Sequence, residues 1–271
     1  MRQPLPVLAV LSIAVASVAA GEPQTQRHAI QEAVSASTRS PASVARDSYR
    51  HPVETLSFFG VKPGQTVVEI WPGGGWYTQI LAPLVRGHGT LYAAALWPGE
   101  LDAIKALQAK DAGTYGAIKL AAFPAEAGQP KVPDGSADAV LTFRNIHNWR
   151  MGERAEGEGP DYAPAAFAQM FAMLKPGGIL GIEEHRLPEN ASAEREKTSG
   201  YLKVSTVRRL AEAAGFKFVA ASEVNANPRD TAGWPKGVWT LPPSYALKDV
   251  DRAKYAAIGE SDRMTLKFRK P

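Results

Sequence analysis

The chain has no cysteine among its 271 residues. Disulfides, thiolate metal centres and cysteine nucleophiles are excluded together, so stability has to come from a packed core. No long run of consecutive lysine or arginine stands out, and no alternation of basic with aromatic residues suggests a nucleic-acid groove. The formal net charge of +4 and the pI of about 9.2 therefore come from interspersed charges, and no nucleic-acid partner is indicated. There is no Gly-Lys-Ser/Thr phosphate loop and no Gly-x-Ser-x-Gly elbow, which argues against a nucleoside triphosphatase and an α/β-hydrolase. His147, His185 and Glu183 or Glu184 would suit a divalent ion, but nothing has the short ligand spacing of a strong metal motif, so no metal is assigned. No internal repeat is found.

At the N-terminus, Arg2 precedes an apolar stretch, Leu5 to Val18, too short to span a bilayer comfortably. Val18-Ala19-Ala20 then offers a small-residue cleavage pattern. Residues 1–20 read as a signal peptide, which predicts a periplasmic or secreted protein with no stable membrane insertion after cleavage. Residues 21–43 are small and polar and read as a flexible N-terminal segment. Residues 44–271 read as one domain with one large core.

The most informative stretch is Thr66 to Tyr77. Thr66–Ile70 is apolar and β-branched, as in a buried strand. Gly73, Gly74 and Gly75 follow, and then a helical pattern carrying Ile80, Leu81, Leu84 and Val85 on one face. A strand that turns through glycines into a helix aims free N–H groups and a positive helix end at one spot, where the backbone can approach a ligand closely. Further strands are expected over 89–95, 117–122, 138–143 and 179–182, from Phe216, and at 264–268. Helices lie between them, and Lys175–Gly178 reads as a turn. Strands alternating with helices predict an α/β, Rossmann-like three-layer sandwich.

The acidic residue Glu69 ahead of Gly73 and Gly75 resembles motif I of the class I S-adenosylmethionine-dependent methyltransferases. The likeness is closest to a predicted-methyltransferase branch with a Trp-Pro-Gly-Gly-Gly-Trp-Tyr loop, and it extends over roughly residues 45–270. It implies a mostly parallel seven-stranded sheet with an antiparallel last strand, S-adenosylmethionine as cofactor, and methyl transfer to a small molecule. It also implies cofactor contacts at Glu69, Gly73, Gly75 and Asn145; Gly74 lies in the same loop, and Trp71 and Tyr77 are candidates for a cation–π contact with the sulfonium. Two positions depart from the family pattern. Trp71 stands where the motif has its first glycine, and the second strand ends in Ala93–Ala95 without the acid that holds the ribose hydroxyls. These departures keep open an alternative: a catalytically inactive module of the same fold that binds another ligand in the same crevice.

Ligands of open α/β sheets sit at the carboxyl ends of the strands. There the chain carries polar clusters at Arg144–Trp149, Glu183–Arg186 and Glu223–Asp230. Candidates for proton transfer are His147 and His185, with Glu184 to orient them; each histidine has a structural reading as well. Arg144, Asn148, Arg186, Asn225, Asn227 and Trp239 are candidates for substrate binding, the last from a proline-rich segment, 237–243, that reads as a lid. The oligomeric state is not readable.

Overall fold

A computed structural model describes residues 22–154 and 157–271. The expected signal peptide lies outside the described residues. No helix among those described is long and apolar enough to cross a membrane.

Thr66–Ile70 forms β1, and its Val67, Val68 and Ile70 are fully buried, as a strand covered on both faces requires. The other sheet strands are β2 (Thr90–Ala95), β3 (Lys119–Ala122), β4 (Ala137–Phe143), β5 (Leu174–His185), β6 (Lys217–Ser222) and β7 (Arg263–Arg269). They make a seven-stranded sheet in the order β3-β2-β1-β4-β5-β7-β6. β1 to β5 pair in parallel, whereas β7 runs antiparallel to both β5 and β6. This is the expected Rossmann-like sandwich with its inserted last strand.

Two helical layers cover the sheet. One face holds α1 (Glu22–Val34), α2 (Pro52–Phe59), α3 (Thr78–Val85) and α4 (Asp102–Lys110), which bury Ile30, Leu56, Phe59, Ile80, Leu84 and Ile104. The other holds α5 (Ile146–Met151), α6 (Ala163–Met173) and α7 (Val204–Ala213), with Trp149, Phe167, Met170 and Leu210 inward. A last helix, α8 (Arg252–Ile258), precedes β7. Pro52 opens α2, where its missing N–H costs nothing, and Gly60 at φ +86° closes it.

Two expectations need correction. Residues 22–34 are not a loose arm: they form α1, and Ile30 and Ala33 are buried against α2 and α3. The apolar positions there are few and spaced within a polar composition, which hid the packed face. Lys175–Gly178 is not a free turn but part of β5. Gly177 N–H donates to Lys270 O at 2.9 Å, and Lys270 N–H returns the bond to Gly178 O at 2.9 Å, so pairing with the chain end extends the strand.

Candidate active site

At the carboxyl ends of β1, β4 and β5 lies a crevice of about 480 Å³. Its floor is the glycine loop with Glu69 below. One wall is Arg144–Asn148, where β4 passes into α5, and His185 ends β5 beside it. The remaining walls come from distant sequence: residues 42–50, 238–244, Glu260 and Ser261.

The three glycines divide into two roles. A Cβ on Gly73 or Gly74 would meet nothing within 4 Å, and their N–H groups bond to no described residue. That backbone is open to a ligand. On Gly75, at φ +75°, a Cβ would sit 2.8 Å from Leu107 Cδ1 and 3.2 Å from Ile104 Cδ1. Its missing side chain lets α3 start close to α4, so Gly75 packs rather than binds. Glu69 is 2 % exposed and accepts a hydrogen bond from Thr78 Oγ1 at 2.6 Å, which ties β1 to the start of α3. Burial pushes its carboxyl up to about 7, against the opposing bonds from Thr78.

Trp71 adopts φ +49°, uncommon for a bulky residue. Its Nε1 donates to Phe123 O at 2.9 Å, and its ring meets Trp149 edge-on at 6.1 Å. Phe123 follows β3, and β2 lies between β3 and β1, so the indole reaches across the end of β2. The alanines there, Ala93–Ala95, are buried, and no described residue from the ends of β2 or β3 lines the crevice.

The two histidines converge. Their ring centroids are 5.1 Å apart, and both line the crevice. His147 Nδ1 lies 2.8 Å from Glu184 Oε1. A carboxylate only accepts, so Nδ1 carries the proton, and Nε2 keeps a lone pair when the ring is neutral. Glu184 also accepts from the N–H groups of Ile146 at 2.6 Å, His147 at 3.3 Å and His185 at 2.8 Å. It is fully buried and not part of the crevice surface, so it positions His147 rather than touching a ligand. His185 Nδ1 pairs with Ser261 Oγ at 2.5 Å. Burial, then the charges of His147, Arg144, Arg263 and Arg50, hold His185 well below the ordinary histidine range, so it is neutral at pH 7. Ring nitrogens of the two histidines and a Glu184 oxygen lie within 4.8 Å of one another, but the spacing is spent on Glu184 binding His147 and three backbone donors.

Beside the histidines sits a charge cluster. Glu260 pairs with Arg46 at 2.6 Å, Arg50 at 3.2 Å and Arg263 at 3.1 Å, with Arg144 at 3.9 Å. Arg263 also pairs with Glu183 at 3.0 Å, and Tyr77 O–H donates to Glu183 at 2.9 Å. Burial alone would raise the Glu260 carboxyl; Arg50, Arg263, Arg144 and Arg46 overcome it and hold it down at about 2. Burial, then Arg144, push the Arg50 guanidinium down to about 9, which still leaves it charged at neutral pH. Arg50 lies over the Trp76 ring at 4.6 Å.

A family model described as a methyltransferase domain matches residues 68–182, from within β1 to within β5. Among solved structures, a SAM-dependent methyltransferase from Aquifex aeolicus is 16% identical, with TM-score 0.55 over 90% of this chain and 98% of that one. The fold is the methyltransferase fold. Phosphoethanolamine N-methyltransferase 2 of Haemonchus contortus, in complex with S-adenosyl-L-methionine, is 16% identical with TM-score 0.54, over 90% of this chain and 56% of that one. The cyclase SpnF is 17% identical with TM-score 0.58, over 86% and 84%. No curated protein matches the chain in sequence. S-adenosylmethionine is the cofactor that the domain match supports. The open backbone of Gly73 and Gly74 fits a cofactor of that kind, whereas the ribose position at the end of β2 lacks an acid.

Within the methyltransferase fold, the expected residues sort by where they point. Glu69, Trp71, Gly73, Gly74, Tyr77, Arg144, Asn145, His147, Asn148, His185 and Trp239 all line the crevice. Asn145 Nδ2 donates to Ile70 O at 2.9 Å and so laces the ends of β4 and β1 together. The Trp239 ring faces His147 at 5.9 Å, which makes segment 238–244 a wall. Arg186, Asn225 and Asn227 are not substrate ligands of this crevice. Arg186 forks onto Asp262 at 2.8 Å and reaches Glu223 at 2.7 Å. Asn225 joins Thr55 at 2.9 Å to Thr265 at 3.0 Å, and Asn227 holds Ile258 O at 2.9 Å and Glu260 O at 2.7 Å. These three shape the loop ahead of β7. Sequence reasoning missed Arg46, Arg50, Glu260 and Ser261. The only local signal was the four-residue step from Arg46 to Arg50.

Proposed function

We propose that this chain is an exported methyltransferase that moves a methyl group from S-adenosylmethionine to a small molecule bound in the crevice. The observation that carries the reading is the joint placement of an open glycine backbone and a histidine base in one cavity, on a chain whose residues 68–182 match a methyltransferase domain. When bound, the cofactor supplies an electrophilic methyl group. Gly73 and Gly74 would hold it through free N–H groups, with Glu69 supporting the loop from below. His147 Nε2 would accept the proton of the substrate nucleophile, and Glu184 would stabilise the imidazolium that forms. The aromatic walls and segment 238–244 would exclude water and fix the substrate's approach, the main source of rate in a direct transfer. Export rests on residues 1–20, whose composition is that of a cleaved leader.

One observation favours a second reading, a module of the same fold that binds another ligand without turnover. The Trp71 indole reaches across the end of β2, where the cofactor's ribose would need an acid. Calorimetric titration of the mature protein with S-adenosylmethionine and with its demethylated product separates the two. Methyl transfer requires heat and a melting shift with both ligands. Neither signal at millimolar ligand would leave the second reading standing.

A further inference from the structure

The charges beside the histidines do not balance. Four guanidiniums, of Arg46, Arg50, Arg144 and Arg263, share two ion-paired carboxylates, Glu183 and Glu260, and even with the Glu184 carboxylate on His147 one positive charge is left over. Arg50 and Arg263 are each 2 % exposed at the side chain and pair closely with Glu260, Arg263 with Glu183 as well, although Arg263 Nε has no partner of its own. Arg144 has no such close pairing. Its guanidinium makes no hydrogen bond to any described residue, its Nε is buried without a partner, and the nearest carboxylate oxygen is 3.9 Å away. Its backbone sits at φ +64°, a conformation costly for a side chain of this size. The side chain lines the crevice and stays 23 % exposed, and Arg46 beside it is 27 % exposed. A strained, half-desolvated cation with its whole donor fork unspent is poor design for stability, since a buried unpaired charge is costly. It suits a site whose counter-charge arrives with the ligand.

We infer that the substrate carries an oxyanion, a carboxylate or a phosphate, which seats against the Arg144 fork, with the Arg46 charge beside it, while its reacting group faces His147. A planar fork recognises both groups bidentately. The inference rests on the methyl-transfer reading for the word substrate, but the anion cradle stands on its own geometry. It also explains why Arg144 directly follows β4, one residue from Asn145 and three from His147: the anchoring point and the base share one strand end.

The test uses the full mature chain and inorganic phosphate as the probe, at constant ionic strength against chloride. At phosphate about ten times its Kd, the melting temperature should rise by roughly 3–5 °C, with no rise in chloride. Arg144→Met should abolish that rise, and Arg46→Gln should weaken phosphate binding about tenfold. Arg208→Gln, an exposed arginine paired with Glu212, should leave it intact. No phosphate-specific shift, or an unchanged shift in both Arg144→Met and Arg46→Gln, overturns the inference. A second arm repeats the phosphate titration with saturating S-adenosylmethionine. Additive effects support a substrate site; mutual exclusion assigns the cradle to the cofactor's own carboxylate and overturns the substrate class. If the cofactor gives no signal while the phosphate shift persists, the methyl-transfer reading fails and the cradle remains.

Discussion

Replacing Glu69 by glutamine should make the protein more stable, and only above mildly acidic pH. The carboxyl lies beneath the glycine loop, where burial raises it from 4.5 to about 7 against the hydrogen bonds of Thr78. The folded state thus keeps a proton that the unfolded chain releases between those two values. Stability from this group is fully present below pH 4.5 and is lost as the pH rises through about 7. At about 1.4 kcal/mol per unit, the loss at neutral to alkaline pH is roughly 3 kcal/mol. Glu69→Gln carries no charge at any pH and keeps an acceptor for the Thr78 hydroxyl, so it avoids the loss. For a domain of this size the variant should melt roughly 6–12 °C above the parent at pH near 8, and close to it near pH 4.5. Ligand-free thermal denaturation followed by circular dichroism across that range measures the difference. A difference independent of pH, or a variant that melts lower at pH 8, would refute the burial argument.

Further predictions concern the glycine loop and the Glu184 carboxylate. Gly75→Ala should cost about 1–3 kcal/mol, because its Cβ would meet Leu107 at 2.8 Å in a left-handed backbone, whereas Gly74→Ala should leave the melting temperature unchanged and weaken cofactor binding in calorimetry. Glu184→Ala should lower the melting temperature by roughly 5–12 °C, since it strands three backbone N–H groups and the His147 ring donor; in the parent, nitrogen NMR should find the His147 proton on Nδ1.

The fold was legible because its signals are local. An apolar strand, a glycine turn and an amphipathic helix lie within twenty residues of one another, and the alternation repeats down the chain. Part of the site was legible for the same reason. Arg144, Asn145, His147 and Asn148 follow a buried strand directly, so topology alone carries them to the crevice. His185 and Arg186 show the limit. His185 ends β5 and Arg186 follows it, but successive residues of an extended chain point to opposite sides, and only His185 turns inward while Arg186 meets Asp262. Without a known register, the pattern could not tell them apart. Glu260 and Ser261 sit in an irregular stretch ahead of β7, and Arg46 lies in a polar segment ahead of α2. Nothing in either neighbourhood marks them, because their shared purpose exists only after the ends of the chain meet.

That meeting has a consequence for how the protein matures. Arg46 and Glu260 are 214 residues apart, and Arg50 and Glu260 are 210 apart. A chain still being synthesised would already own the glycine bend and both imidazoles, yet Arg46, Arg50 and Arg144 would lack their shared partner until Glu260 emerged. The crevice is therefore assembled only once the segment ahead of β7 is in place, and a fragment that stops short of Glu260 should lack a formed site even where its sheet has begun to form.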